Sequence, residues 1–533
     1  MKPGQSARSL RGMVTSPHAV ASQSGIQVLA AGGNAIEAAI ATVACLCVSH
    51  PHFCGLGGDA FLLIGNAQGQ VQAISGIGQA AADISGYPQH GGMALRGPRA
   101  CLTSAATVDA LGQAFVLSQQ QGGRQSWSAL LAPAIALAHT GYAISDSERF
   151  WLQFRLPERA ALPDIYHHFG SQDPRQALPP PGHVRRQPAL GRSLELLAAR
   201  GPRDFYEGEL AKQLARGLQA AGAPLRASDL ARTRARTEAP LAVAYRGGEL
   251  LSLQPPTQGM STLQAMGILQ RFEVHRVAEG SAQHYHLLVE AIKQAFLDRN
   301  RYLGDPEFGA VPLARLLSDA HLDAGAATIR PDQALPWPQP YQSGDTVYVG
   351  TADAMGNTVS LLATVYYDWG SGVLVGDTGI LWHNRGAAFS LEPGHPNCLA
   401  PGKRPFHTLN PGMYRKQGRV QLLYGTQGSD GQPQTLVALL TRLIDYGMDP
   451  LQALARPRFL LGKTFSDSQD ALKLEDDVPE SVVAALRQCG HRISLLPAQN
   501  ALMGHPGVIR LDPQSGLIMG AHDPRSDGLA IGL

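Results

Sequence analysis

Thr346 and Thr364 flank a stretch that folds back on itself, and the first of them directly follows Asp345. A threonine whose preceding peptide bond is cut gains a free α-amine beside its hydroxyl, so that nucleophile and base reside in one residue. Residues 346–352 are rich in β-branched and small apolar side chains. Residues 353–357, Asp-Ala-Met-Gly-Asn, form a turn in which Gly356 can take positive φ, and residues 358–364 read as the returning strand. Thr346 and Thr364 each lie nine positions from Met355 at the turn centre, so regular pairing sets their Cβ atoms about 5 Å apart on one face. Spacing alone fits equally two strand threonines that merely hydrogen-bond each other, and strand preference makes that the simpler reading.

A second chemical feature is the loop Tyr424-Gly425-Thr426-Gln427-Gly428-Ser429-Asp430-Gly431. It follows a predicted strand and precedes a predicted helix, so its backbone N–H groups can point outward together toward developing negative charge.

Wider blocks carry a resemblance. Gly344 through Gly356-Asn357, Gly370-Ser371-Gly372-Val373, Thr378-Gly379-Ile380-Leu381 and Pro401-Gly402-Lys403-Arg404-Pro405 resemble the small subunit of the gamma-glutamyltranspeptidase family. Gly12-Met13-Val14 with Ala31-Gly32-Gly33-Asn34-Ala35-Ile36-Glu37-Ala38-Ala39, and Pro51-His52 through Gly57-Gly58, resemble its N-terminal part. The block from Glu290-Ala291 to Asp298-Arg299-Asn300-Arg301-Tyr302-Leu303-Gly304-Asp305-Pro306 resembles the long helix ahead of its cleavage site. Tyr446-Gly447-Met448 and Ala455-Arg456-Pro457-Arg458-Phe459 resemble its C-terminal part. The order is that of the family and spans nearly the whole chain.

The resemblance implies an αββα sandwich of the N-terminal-nucleophile hydrolase type, within the α/β (α+β) class. It implies self-cleavage between Asp345 and Thr346 into a large chain, 1–345, and a small chain, 346–533, that pair as a heterodimer within one compact body. Association of such heterodimers into larger assemblies stays open. Thr346 would then attack an amide, with its own α-amine as base, because an amino terminus titrates at about 8. Thr364 corresponds to the threonine that orients the nucleophile. Gly428 and Ser429 stand where the family has the glycine pair of its oxyanion hole; the change at the second position keeps a backbone N–H.

Substrate recognition is where the resemblance breaks. The arginine that holds the α-carboxylate of a γ-glutamyl group is replaced by Ile77, and the aspartate that holds its α-amine by Ala388. Tyr366 stands where the family has an asparagine, and His407-Thr408 where it has a serine pair. A charged amino-acid head group against Ile77 and Ala388 would lack its partners, at several kcal/mol. The expectation is a retained amidase with altered specificity, in which Arg385 or His407 either takes a substrate carboxylate or serves a surface or structural role. A true γ-glutamyl hydrolase or transferase is the runner-up, and a catalytically silent binding or assembly protein the answer from another class.

The elements that must hold these residues read as mixed α/β. Residues 19–31, 35–48 and 284–302 have helical patterning, the last through Tyr285, Leu288, Ile292 and Phe296; residues 60–64 and 420–424 read as strands, and 435–446 as a helix. Residues 174–188, with three consecutive prolines, read as a surface loop. A 533-residue chain with 44% hydrophobic and only 16% charged residues can bury a large core, and a net charge of +2 gives no case for nucleic acid. The longest apolar run, residues 38–48, is too short to span a membrane. No apolar segment follows the basic start of the chain, which favours a cytoplasmic protein unless a signal had been removed. Gly55-Leu56-Gly57-Gly58-Asp59-Ala60 approximates a dinucleotide turn but runs into a strand where that motif needs a helix. Six cysteines lack paired spacing, and the pairs His50/His52, His167/His168 and His284/His286 have no companion cluster in the sequence, so no metal or organic cofactor is expected.

Overall fold

A computed structural model describes residues 4–87, 91–173, 175–337, 345–463 and 469–533. Gly344 and Pro174, used in the sequence reading, lie outside the described residues.

Two seven-stranded antiparallel sheets form the centre. The first runs Leu529–Gly532, Gly12–Ser16, Asp345–Asp353, Thr358–Tyr366, Asp59–Gly65, Val71–Gly76, Arg236–Glu238. The second runs Ala7–Ser9, Ile518–His522, Gly507–Leu511, Arg419–Gly425, Gly412–Lys416, Gly248–Ser252, Leu241–Tyr245. The period-two alternation of each strand divides its side chains between two cores. Phe61 and Leu63 join Tyr348, Leu362, Met413, Leu423 and Ile509 in the layer between the sheets. Their neighbours Ala60, Leu62 and Ile64 face the other way, against the helices Ala19–Ala30 and Ala35–Ser49. The second sheet is covered in the same manner by Gly259–Leu269, Ala282–Tyr302 and Gln432–Leu440. The result is the expected αββα sandwich.

The Ala35–Ser49 helix is buried along its whole length, which its run of alanines permits by allowing close approach on every side. Its start is fixed by a capping box, with Asn34 accepting from the Glu37 N–H and Glu37 accepting from the Asn34 N–H. Asp353, at the tip of the hairpin formed by Asp345–Asp353 and Thr358–Tyr366, accepts from the Ala35 N–H at 2.9 Å and so ties the hairpin to that helix start.

Residues 175–188 are mostly exposed, as expected of a surface loop, but they contain one short strand. Val184–Arg185 pairs with Tyr142–Ala143, and the buried Arg185 guanidinium reaches Glu148 at 2.8 Å. A basic side chain flanked by prolines looks solvated in sequence, and only the fold supplies its carboxylate.

Five buried histidines lie near one another: His18, His50, His52, His505 and His522. Burial lowers the pKa of His18 to about 4 and those of His505 and His522 to about 3, and holds His50 and His52 well below the ordinary value. A folded-state pKa below the unfolded value of about 6.5 means the unfolded chain takes up protons first. Stability is therefore whole above about pH 6.5 and falls below it, by at most about 1.4 kcal/mol per pH unit for each such group. The urea midpoint should drop steeply between pH 6.5 and 5; a midpoint constant over that interval would refute the burial of neutral imidazoles.

Candidate active site

Thr346 sits at the start of the Asp345–Asp353 strand and is only 2% exposed. Pairing with Thr358–Tyr366 follows the register expected from symmetry about Met355: Ala352 opposes Thr358, Tyr348 opposes Leu362, and Val347 opposes Ala363. The next regular pair would be Thr346 with Thr364. There the register shifts, and Asp345 opposes Tyr366. A bulge of this kind re-aims side chains at a strand end. Thr364 uses its Oγ1 to accept the Tyr366 N–H at 2.7 Å, and Tyr366 takes φ of 79°, a conformation costly for a bulky residue.

Behind Thr364 lies Asp59, its partner on the next strand. Gly58 packs against the Thr364 carbonyl oxygen so closely that a Cβ would overlap it. Gly57 approaches the Leu381 carbonyl oxygen as closely, and these two contacts account for the Gly57-Gly58 pair. The Asp59 carboxylate accepts from the Gly78 N–H at 2.9 Å and lies 3.3 Å from His407 Nε2 and 3.5 Å from His383 Nδ1. Burial pushes its pKa up, but the two imidazoles and Arg385 outweigh this and hold it below the ordinary carboxylate value. His407 Nδ1 accepts from the Leu409 N–H at 3.4 Å, so its Nε2 carries the proton toward Asp59. Burial, with Arg385 nearby, lowers the His407 pKa to about 3; the ring is neutral and already engaged.

The loop after the Arg419–Gly425 strand faces Thr346. Gln432, at the start of the next helix, points its Nε2 at Thr346 Oγ1, 3.4 Å away. Gly428 and Ser429 have φ of 117° and 50°. The loop is fastened from below by a buried network: Gln258 Nε2 donates to the carbonyls of Ser429 at 2.8 Å and Thr408 at 2.7 Å, and Arg299 donates to Gln258 Oε1 and pairs with Asp430 at 3.1 Å. Gln432 and Gln258 do not figure in the sequence reading, and Asp59 enters it only as part of the dinucleotide-like turn. Asp298-Arg299-Asn300 was in view only as part of a helix block.

Arg385 lies on the short turn Arg385–Ala388, which is tied to the end of the Thr346 hairpin where Asn384 Oδ1 accepts the Tyr367 N–H at 3.1 Å. It is completely buried, and its guanidinium carbon lies 3.6 Å from the centre of the Tyr366 ring. Among the described residues, Nε, Nη1 and Nη2 all lack a hydrogen-bond partner. Burial lowers its pKa to about 10, so it remains charged at neutral pH. Ile77, by contrast, is packed in the layer between the sheets, and Ala388 is buried; neither offers a charge.

A family model described as Gamma-glutamyltranspeptidase matches residues 21–533. The chain belongs to the gamma-glutamyltranspeptidase family. It is an enzyme of that family, an amidohydrolase of the N-terminal-nucleophile class. It is 42% identical over 530 residues to the oxamate amidohydrolase proenzyme of Klebsiella pneumoniae, covering 98% of this chain and 99% of the relative. It is 37% identical to the glutathione hydrolase-like YwrD proenzyme of Bacillus subtilis, covering 98% of each. The cephalosporin acylase of Bacillus halodurans superposes with a TM-score of 0.90 at 31% identity, over 100% of this chain and 98% of that one. Among the described residues no helix is long and apolar enough to cross a membrane.

Ser429, which stands where the resemblance has a glycine, keeps a left-handed backbone. If only its main chain matters, Ser429→Gly should leave kcat within about threefold, under 1 kcal/mol of barrier, with melting temperature unchanged or raised as strain is relieved. A loss of orders of magnitude in kcat would instead assign chemistry to the hydroxyl.

Proposed function

We propose that this chain is a self-processed amidohydrolase of short amides that carry a carboxylate and no α-ammonium group, oxamate being the simplest. Thr346 Oγ1 first attacks the carbonyl carbon of Asp345. The C–N bond breaks, an ester forms, and water opens it to leave the Asp345 carboxylate and a free Thr346 amine. That amine then takes the hydroxyl proton as Thr346 attacks the substrate amide. Ammonia leaves with that proton, and water releases the acid from the acyl ester. The backbone N–H groups of Gly428 and Ser429 receive the oxyanion, Gln432 positions the hydroxyl, and Thr364 orients the strand end. The large and small chains remain paired as a heterodimer.

The observation that carries this reading is Arg385. A buried, unpaired guanidinium is costly, and its planar fork suits a carboxylate bidentately. It is stacked on Tyr366, which opposes Asp345 in the nucleophile hairpin. The name of the Klebsiella relative agrees with a substrate that is little more than a carboxylate joined to an amide. Ile77 and Ala388 leave a γ-glutamyl head group without ionic partners.

The test is a substrate panel: ammonia release from oxamate, and aniline release from γ-glutamyl and glutaryl anilides. Turnover of oxamate, with the glutaryl compound equal to or better than the γ-glutamyl one, is expected. Strict dependence on the α-amine of glutamate would overturn the proposal in favour of a true γ-glutamyl hydrolase. An uncut chain inert toward all three would indicate a binding protein.

A further inference from the structure

The fold brings to His286 a partner, His491, that its sequence neighbourhood does not supply. His286 and Glu290 are one turn apart on the Ala282–Tyr302 helix and share a face, and His491, just beyond the Glu480–Gln488 helix, comes to meet them. All three are buried, and one ligand atom from each lies within 4.8 Å of the other two. His286 Nδ1 and His491 Nε2 are 2.8 Å apart. His286 Nε2 is 2.7 Å from the Arg330 carbonyl oxygen. A carbonyl only accepts, so Nε2 carries the proton and Nδ1 presents its lone pair toward His491. A backbone carbonyl orienting a metal-ligating imidazole through its other nitrogen works in this way.

Glu290 is likewise held for its task. One carboxylate oxygen accepts from the Leu335 N–H at 2.9 Å and the other from Lys293 Nζ at 2.7 Å. Lys293 Nζ also donates to the Leu335 carbonyl at 2.7 Å, so it keeps an acceptor when the carboxylate turns toward an ion. A cavity of about 260 Å³, lined in part by Lys293, Leu335, Trp337 and His491, provides the entry path.

We propose that His286 Nδ1, His491 Nε2 and a Glu290 carboxylate oxygen bind one Zn²⁺ ion. Two imidazoles and a carboxylate suit a borderline divalent cation, and a water completes a tetrahedron. On binding, the Nε2 proton of neutral His491 passes through solvent to its Nδ1, and the ion takes the vacated lone pair. With cleavage before Thr346, His286 and Glu290 belong to the large chain and His491 to the small one. The ion therefore fastens the two chains together at a point remote in sequence from the nucleophile. It also fastens residues 330–335, which bond to its ligands and lead toward the cleavage junction.

Full-length protein, stripped with chelator and then loaded with ZnCl₂ and desalted, should retain one zinc per chain and show a raised melting temperature. Co²⁺ in place of zinc should give the visible absorption of a tetrahedral N/O site. His491→Asn and Glu290→Gln should each weaken zinc binding by at least about tenfold, the range seen even for second-shell partners. Wild-type protein that retains no zinc, or shows no tetrahedral Co²⁺ spectrum, overturns the proposal without recourse to variants. Equal zinc retention by wild type and both variants overturns it as well, by placing the ion elsewhere.

Discussion

Thr346→Ala is expected to leave a single 533-residue chain with no measurable amidase activity, where the wild type should yield 345-residue and 188-residue chains. The two losses have one origin. Without Oγ1 there is no attack on Asp345, so the α-amine that serves as base is never released, and no hydroxyl remains to accept the acyl group. Removing a nucleophile typically costs at least about 10⁴-fold in kcat, with only binding and oxyanion stabilisation left behind. Thr346→Ser separates the steps: its hydroxyl still permits cleavage and acyl transfer, at lower rates, because the lost methyl group no longer fixes χ1. Intact mass of the two variants beside wild type checks the first claim, and turnover of oxamate the second. A Thr346→Ala protein that is still cut before residue 346, or wild type that hydrolyses amides as one piece, would remove Thr346 from the mechanism.

The hairpin that carries Thr346 was legible because two local signals agree: β-branched residues on both arms and Gly356, with φ of 87°, in the turn. Counting from Met355 then gave the register. Counting could not give the bulge, because nothing local to 345–347 distinguishes a regular pair from a shifted one; the left-handed Tyr366 across the strand is part of the same distortion. The helix expected over 435–446 starts earlier, at Gln432, because Pro433 suits a first turn, and it loosens into a π turn over Thr441–Asp445. The helix start is what brings the Gln432 side chain to Thr346.

Contacts that cross the chain were illegible for a different reason. Arg299 and Asp430 are 131 positions apart, Asp59 and His407 348. No periodicity links such residues, and only the packing of helix on sheet and of sheet on sheet makes them neighbours. The histidine pairs show the same effect in reverse. Adjacent residues such as His284 and His286 invite joint interpretation, yet on a helix they point away from each other. His286 meets His491 from 205 positions downstream. Arg385 was visible as one basic residue among many; that it is buried without a partner is a property of the packing alone.

That burial gives Arg385→Met an unusual pair of expected effects. A structural arginine, held by carbonyls or carboxylates, destabilises the fold when removed because its partners are left unpaired. Arg385 makes no such hydrogen bond among the described residues, and the Asp59 carboxylate acts on it only through charge. Methionine keeps an apolar, flexible side chain against Tyr366 while removing a desolvated charge, so the melting temperature should rise or hold. Activity should move the other way. A desolvated, hydrogen-bonded charge pair typically contributes 2–5 kcal/mol when one partner is truncated, so kcat/KM for oxamate should fall by about 100-fold or more. A neutral amide of similar size gains nothing from the guanidinium, and its turnover should change little. Arg385→Lys should recover only a fraction of the loss, since an ammonium cannot bind both carboxylate oxygens in plane or stack on the ring. Equal losses on oxamate and the neutral amide, or a lower melting temperature for Arg385→Met, would make this guanidinium part of the scaffold and leave the substrate carboxylate to be held elsewhere.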